Sequence, residues 1–159
     1  MSHPQIVVID GQGGGLGRLM VEKLRRAFPD EKAEILALGT NALATAAMLR
    51  AGANNGATGE NAVIRNVAAA NVIVGTIAVI IPHGMTGEIT PAMAEAVALA
   101  PAPKVLLHLN RAGVEIVGAS REPLPHLVDM LVETVHAVFA APKAEASALP
   151  RASPVLFCG

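Results

Sequence analysis

The apolar run Gln5-Ile6-Val7-Val8-Ile9 leads directly into Asp10-Gly11-Gln12-Gly13-Gly14-Gly15-Leu16-Gly17, and an amphipathic stretch over residues 18–28 follows. This order restricts the fold more than any other part of the chain. Consecutive Val and Ile with no polar alternation describe a strand buried on both faces. Five glycines within seven positions let the backbone adopt positive φ and approach a neighbour or ligand closely. The helix behind them offers unpaired N–H groups and the positive end of its dipole. Strand, glycine turn and helix together frame a phosphate-binding loop. Asp10, Gly11, Gln12, Gly13, Gly14, Gly15, Leu16 and Gly17 are therefore the first candidate cofactor-binding residues. The same glycines could also serve only tight packing of strand against helix, with no ligand.

The rest of the chain alternates in the same way. Leu16, Leu19, Met20, Lys23, Leu24 and Ala27 share one face of the first helix, which Phe28-Pro29-Asp30 ends. Residues 34–38 read as a second strand and residues 42–50 as an alanine-rich helix, with Gly39-Thr40-Asn41 turning between them. Residues 53–59 (ANNGATG) are turn chemistry throughout. A helix over 60–69 follows, then a strand over 71–74 that residues 77–81 either continue or follow as a separate strand. Thr90-Pro91 supplies a capping hydroxyl and a first-turn proline for a helix over 92–99. Residues 104–109 and 114–117 read as strands joined by Asn110-Arg111-Ala112-Gly113, a connection short enough for a hairpin. Residues 124–139 form the last helix, with Leu124, Leu127, Val128, Leu131 and Val135 inward.

Strands alternating with helices imply an α/β fold, a doubly wound and mostly parallel sheet with helices on both faces. One antiparallel edge strand joins it if residues 114–117 return as a hairpin. Ligands of such sheets lie outside the carboxyl ends of the strands. The ends here are the glycine loop, Gly39-Thr40-Asn41, Gly75-Thr76, residues 82–88 and residues 108–111, and they should line one crevice. A domain over residues 1–140 is expected, followed by a Pro/Ala/Ser/Lys-rich tail over 141–159.

The glycine spacing narrows the ligand. No Lys-Ser or Lys-Thr follows the glycines, which excludes a P-loop. Gly11-x-x-x-Gly15-Leu16-Gly17 resembles the G-x-x-x-G-[IL]-G turn of short-chain dehydrogenases, which holds a dinucleotide pyrophosphate. That resemblance implies NAD or NADP as cofactor. The family's catalytic Tyr-x-x-x-Lys is impossible in a chain with no tyrosine. Gly39-Thr40-Asn41 stands where the ribose-binding acid would end the second strand, so NADP is expected to be accepted at least as well as NAD. A preference for NAD would point to an acid from another loop, such as Glu60.

A formal net charge of −1 gives no electrostatic case for nucleic acid. The single cysteine, Cys158, excludes an internal disulfide and a cysteine metal cluster within one chain. The apolar segment at 72–82 is far short of the roughly 20 residues a membrane span needs, so no membrane partner is expected. With no signal-peptide pattern at the N-terminus, the cytoplasm is the expected location.

A resemblance covers roughly residues 5–135. Asp10-Gly-Gln-Gly-Gly-Gly-Leu-Gly17, Ala37-Leu-Gly-Thr-Asn-Ala-Leu-Ala-Thr45, Gly52-Ala-Asn54 and Gly56-Ala-Thr-Gly-Glu-Asn61 carry its first half. Gly87-Glu-Ile-Thr-Pro91, Gly113-Val-Glu-Ile-Val-Gly118 and Glu122-Pro-Leu-Pro-His-Leu-Val128 carry its second. On these runs the chain resembles an uncharacterised bacterial family of short Rossmann-like proteins, a domain of unknown function. The resemblance implies a fold and no reaction, and transfers no functional residue.

Site candidates then come from chemistry. Asp10 can hold a ribose hydroxyl or a metal on a nucleotide phosphate, or it can cap the turn. His83 and His108 fall on carboxyl-end loops and could face each other across the crevice as proton-transfer groups. Glu88 is a candidate acid or base, or a first-turn carboxylate of the helix begun at Thr90. Arg111 could reach a phosphate or carboxylate, or be an exposed hairpin charge. Thr40 and Asn41 could bind a ribose or its phosphate, or cap the helix after them. His126, His136 and His3 read as surface or packing residues. Three functions follow: a nucleotide-binding sensor or accessory protein; an NADP-dependent oxidoreductase or proton-transfer enzyme using His108; a metal or cofactor handling protein. The first is favoured, because the chain lacks tyrosine and a convincing acid–base pair. Alanine-rich helices could pack against a second copy. The apolar tip Val155-Leu156-Phe157 is expected to dock into a groove of this chain or of a partner, shielding Cys158.

Overall fold

A computed structural model describes residues 2–109 and 113–142. The tail from residue 143 and Arg111 lie outside the described residues, and with them the expectations placed on the apolar tip. Five strands and five helices alternate in chain order: β1 (Gln5–Asp10), α1 (Gly15–Ala27), β2 (Glu34–Gly39), α2 (Ala42–Arg50), β3 (Asn55–Thr58), α3 (Glu60–Val67), β4 (Val72–Thr76), α4 (Pro91–Leu99), β5 (Lys104–Leu107) and α5 (Leu124–Ala140). The sheet order is β3-β2-β1-β4-β5 and every pairing is parallel. Val8 of β1 sits between Ala37 of β2 and Val74 of β4, so β1 is the central strand.

The apolar run that opens the chain is buried on both sides. Ile6 and Val8 pack with Met20, Val21 and Leu24 of α1, Met48 of α2, and Val128, Leu131 and Val135 of α5. Val7 and Ile9 point the other way, into a cluster with Val63 and Val67 of α3 and Met93 and Val97 of α4. Successive side chains of one strand feed two separate cores. Asn41 and Thr90 cap their helices, accepting from Ala44 N at 2.9 Å and Met93 N at 3.1 Å. Among the described residues no helix is long and apolar enough to cross a membrane.

Three expectations are corrected. Residues 55–58, read as turn, form the edge strand β3; it pairs from Leu36↔Asn55 to Gly39↔Thr58. Its side chains are largely exposed, so Asn-Gly-Ala-Thr carries no apolar alternation to betray it. Ile77–Ile80 is a short 3₁₀ turn, not a strand. Gly75 permits this: a Cβ there would lie 3.0 Å from Ile9 O and 3.2 Å from Val79 Cγ1, so the chain folds back over the strand it has just left. Residues 114–117 form no strand, and no antiparallel edge exists among the described residues. Gly113 and Gly118 bracket them with φ of 66° and 85°, and Val117 is fully exposed, with no sheet face beneath it.

Candidate functional site

From β1 the chain winds outward to β2 and β3. From β4 it winds the opposite way to β5. The carboxyl ends of β1 and β4 therefore diverge at the point where such sheets take their ligands. A crevice of about 720 Å³ opens there. The glycine loop forms one wall, through residues 10–16; residues 76–78 and 81–86 form the other, with Leu109 and Leu124 beside them.

The glycines divide by what a side chain would meet. At Gly17 a Cβ would lie 2.7 Å from Asp10 Cβ and 2.8 Å from Met48 Sδ; at Gly14, where φ is 74°, 2.7 Å from Ala44 Cα. At Gly11 it would lie 2.4 Å from Thr40 Oγ1. Close packing accounts for these three. Nothing stands within 4 Å of a Cβ at Gly13 or Gly15, and neither has a left-handed backbone. The N–H groups divide in the same way. Gly14 N donates to Gly11 O at 3.0 Å, Gln12 N to Glu88 Oε2 at 2.9 Å and Gly17 N to Asp10 Oδ2 at 2.6 Å. Those of Gly13, Gly15 and Leu16 make no hydrogen bond to any described residue.

Asp10 is buried at the end of β1, lines the crevice and caps α1 through Gly17. Burial pushes its carboxyl above the ordinary 3.8, the charge of Glu88 adds to this, and the N–H groups of Gly17 and Gly11 oppose it. The folded state thus holds this proton more tightly than the unfolded chain. Below the ordinary value both states are protonated and Asp10 costs nothing; stability is lost as pH rises through the raised value. Urea unfolding of the wild type and Asp10→Asn across this range is expected to show the wild type losing ground to the variant with rising pH. Parallel curves would contradict it.

Glu88 lies neither in the crevice nor at the first turn of α4, which Thr90 caps itself. It reaches to the end of β2. Its Oε1 accepts from Asn41 Nδ2 at 2.6 Å and Thr40 Oγ1 at 3.0 Å, and its Oε2 from Gln12 N at 2.9 Å. Asn41 Nδ2 also donates to Gln12 O at 2.9 Å. Thr40 and Asn41 are thus engaged with Glu88 and stand outside the crevice. A carboxylate does stand at the end of the second strand, supplied from a loop far along the chain and not by Glu60, whose Oε2 accepts from Thr90 Oγ1 at 2.5 Å.

His83 lines the crevice, exposed on its rim; His108 does not. His108 lines a second cavity of about 610 Å³ with residues 115–122 and Leu127, so the two histidines do not share one cavity. Its Nδ1 is buried without a hydrogen bond to the described residues. No group of three or more His, Cys, Asp or Glu among the described residues could hold a metal ion.

Thr76 and residues 82–86 line the crevice as the strand ends placed them, whereas Ile77, Ala78 and Ile81 come from the segment read as a strand. Ile77, Ala78, Ile81, Pro82 and Met85 give the crevice an apolar half. Gln12, His83, Met85 and Thr86 all have left-handed backbones, with φ from 50° to 63°, and all line it. Each costs of order 1 kcal/mol or more, and such residues gather at ligand sites. Gly84 holds the bend: its Cβ would lie 2.5 Å from Ala78 O.

The fold is similar to a dodecameric FMN-dependent UbiX-like decarboxylase from Escherichia coli O157:H7, with a TM-score of 0.41 and 16% identity over 84% of this chain and 76% of that one. No curated protein matches. The model of a domain of unknown function, DUF3842, matches residues 5–140, and the chain belongs to the DUF3842 family.

Proposed function

We propose that this protein binds a phosphate-bearing nucleotide in the crevice between β1 and β4 and serves as a nucleotide-responsive sensor or accessory protein. One observation carries the reading. A Cβ at Gly13 or Gly15 would meet nothing within 4 Å, and their N–H groups, with that of Leu16, have no partner among the described residues at the crevice wall and a helix N-terminus. A phosphate there accepts these donors and meets the positive end of the α1 dipole. The apolar half is suited to a planar ring. The cavity lies within the 300–1,000 Å³ usual for small-molecule sites.

An oxidoreductase using His108 has less support, since His108 lies off this crevice and no carboxylate pairs with His83 among the described residues. The expectation that NADP is accepted as well as NAD rests on a second strand ending without a carboxylate. With Glu88 at that end, a 2′-phosphate meets like charge. Calorimetry with AMP, ATP, FMN, NAD and NADP is expected to find at least one ligand bound below millimolar. If none binds, the proposed function is wrong.

A further inference from the structure

The two sides of the glycine loop are built differently, and from this we infer that the occupant is a mononucleotide, not a dinucleotide. The inference rests on the proposed nucleotide site. A dinucleotide laid across a switch point puts one nucleoside toward each side of the loop, with a ribose at the end of the second strand.

On the β4 side there is room. The crevice runs from the loop past Ile77 and Ala78 to Ile81 and Pro82, and Leu109 and Leu124 extend it. On the β2 side the crevice does not continue. Thr40, Asn41 and Glu88 fill the end of β2 and none of them lines the crevice. Thr40 is packed so close over the loop that Gly11 has no space for a Cβ.

The hydrogen bonds on that side are also spent. The Thr40 hydroxyl, the Asn41 amide and the Gln12 N–H all donate to the Glu88 carboxylate, the group that would otherwise accept a ribose hydroxyl at this position. A second ribose hydroxyl would compete with these three donors for the carboxylate's acceptor sites and crowd the group they hold in place. A mononucleotide leaves all three in place. Its phosphate takes the free N–H groups of Gly13, Gly15 and Leu16, and its heteroaromatic ring lies in the apolar half. The described lining residues include no Lys or Arg, and Asp10 sits at the base. Neutral donors alone suit a single phosphate better than a chain of them. Glu88 is thus a specificity-determining residue that closes the second nucleoside position.

Paired probes test this directly, because FMN and FAD, or nicotinamide mononucleotide and NAD, differ by one added AMP. Calorimetry on the full wild-type chain is expected to show the mononucleotide of at least one pair bound about tenfold or more tighter than its dinucleotide. In Glu88→Ala that ratio should shrink through a gain in dinucleotide affinity, with mononucleotide binding changed by less than about threefold. The wild-type ratio needs no variant, so a misfolded Glu88→Ala does not remove the test. A dinucleotide bound as tightly as its mononucleotide, or weakened by Glu88→Ala, would overturn the inference and make Glu88 a ribose-binding group while nucleotide binding itself survives. Binding of neither member of either pair, with AMP and ATP also unbound, would overturn both.

Discussion

Gly15→Val is expected to weaken nucleotide binding by about 100-fold or more, equivalent to about 2.7 kcal/mol, and to leave the fold intact. Nothing stands within 4 Å of a Cβ at this position, and its φ is one any residue adopts. It is the first residue of α1, where valine is no worse a helix former than the glycine it replaces. The branched side chain enters the open space beside the loop N–H groups, where the phosphate would sit. Calorimetry with the ligand that binds the wild type, paired with urea unfolding, checks both halves. Retained affinity would mean that the loop is a packing device and that the ligand, if any, lies elsewhere.

Two residues further on, the same substitution should do the reverse. Gly17→Val is expected to destabilise the protein by about 3 kcal/mol through overpacking. A Cβ there meets Asp10 Cβ at 2.7 Å, Asp10 Oδ2 at 2.8 Å and Met48 Sδ at 2.8 Å. The Met48 thioether can move. Asp10 cannot move without giving up the bond from Gly17 N and the cap it makes on α1. Urea unfolding measures the loss; a Gly17→Val protein as stable as the wild type would show that α1 can shift away from β1 at little cost. The contrast between Gly15 and Gly17 separates glycines kept for a ligand from glycines kept for packing.

That division is invisible in Asp10-Gly-Gln-Gly-Gly-Gly-Leu-Gly17 as a string, because it depends on where α2 and Thr40 lie. Most of the sheet was legible. Gln5 to Ile9 read as a strand buried on both faces, and Ala42–Arg50 and Thr90-Pro91 marked helices where helices occur. β3 was not, since an exposed edge strand of Asn-Gly-Ala-Thr looks like a turn. Ile77–Ile80 looked like a strand because apolar periodicity alone does not distinguish a sheet from a 3₁₀ turn folded back on its end. The Glu88 network joins Gln12, Thr40 and Asn41 to a residue 76 positions after Gln12. No local pattern encodes a contact of that span, so Gly39-Thr40-Asn41 gave no sign of the carboxylate that Glu88 brings to the end of β2. Ile77 and Ile81 escaped notice as part of the crevice because they read as strand residues until the chain is seen to leave the sheet there.

Backbone amide shifts of ¹⁵N-labelled protein titrated with FMN, nicotinamide mononucleotide and AMP in turn reach the loop N–H groups themselves. With the ligand that binds, the signals of Gly13, Gly15 and Leu16 should move progressively to saturation, whereas those of Gly56 and Gly59 at the β3 edge stay in place. Saturable binding that leaves Gly13, Gly15 and Leu16 unmoved would place the nucleotide elsewhere and contradict the phosphate cradle.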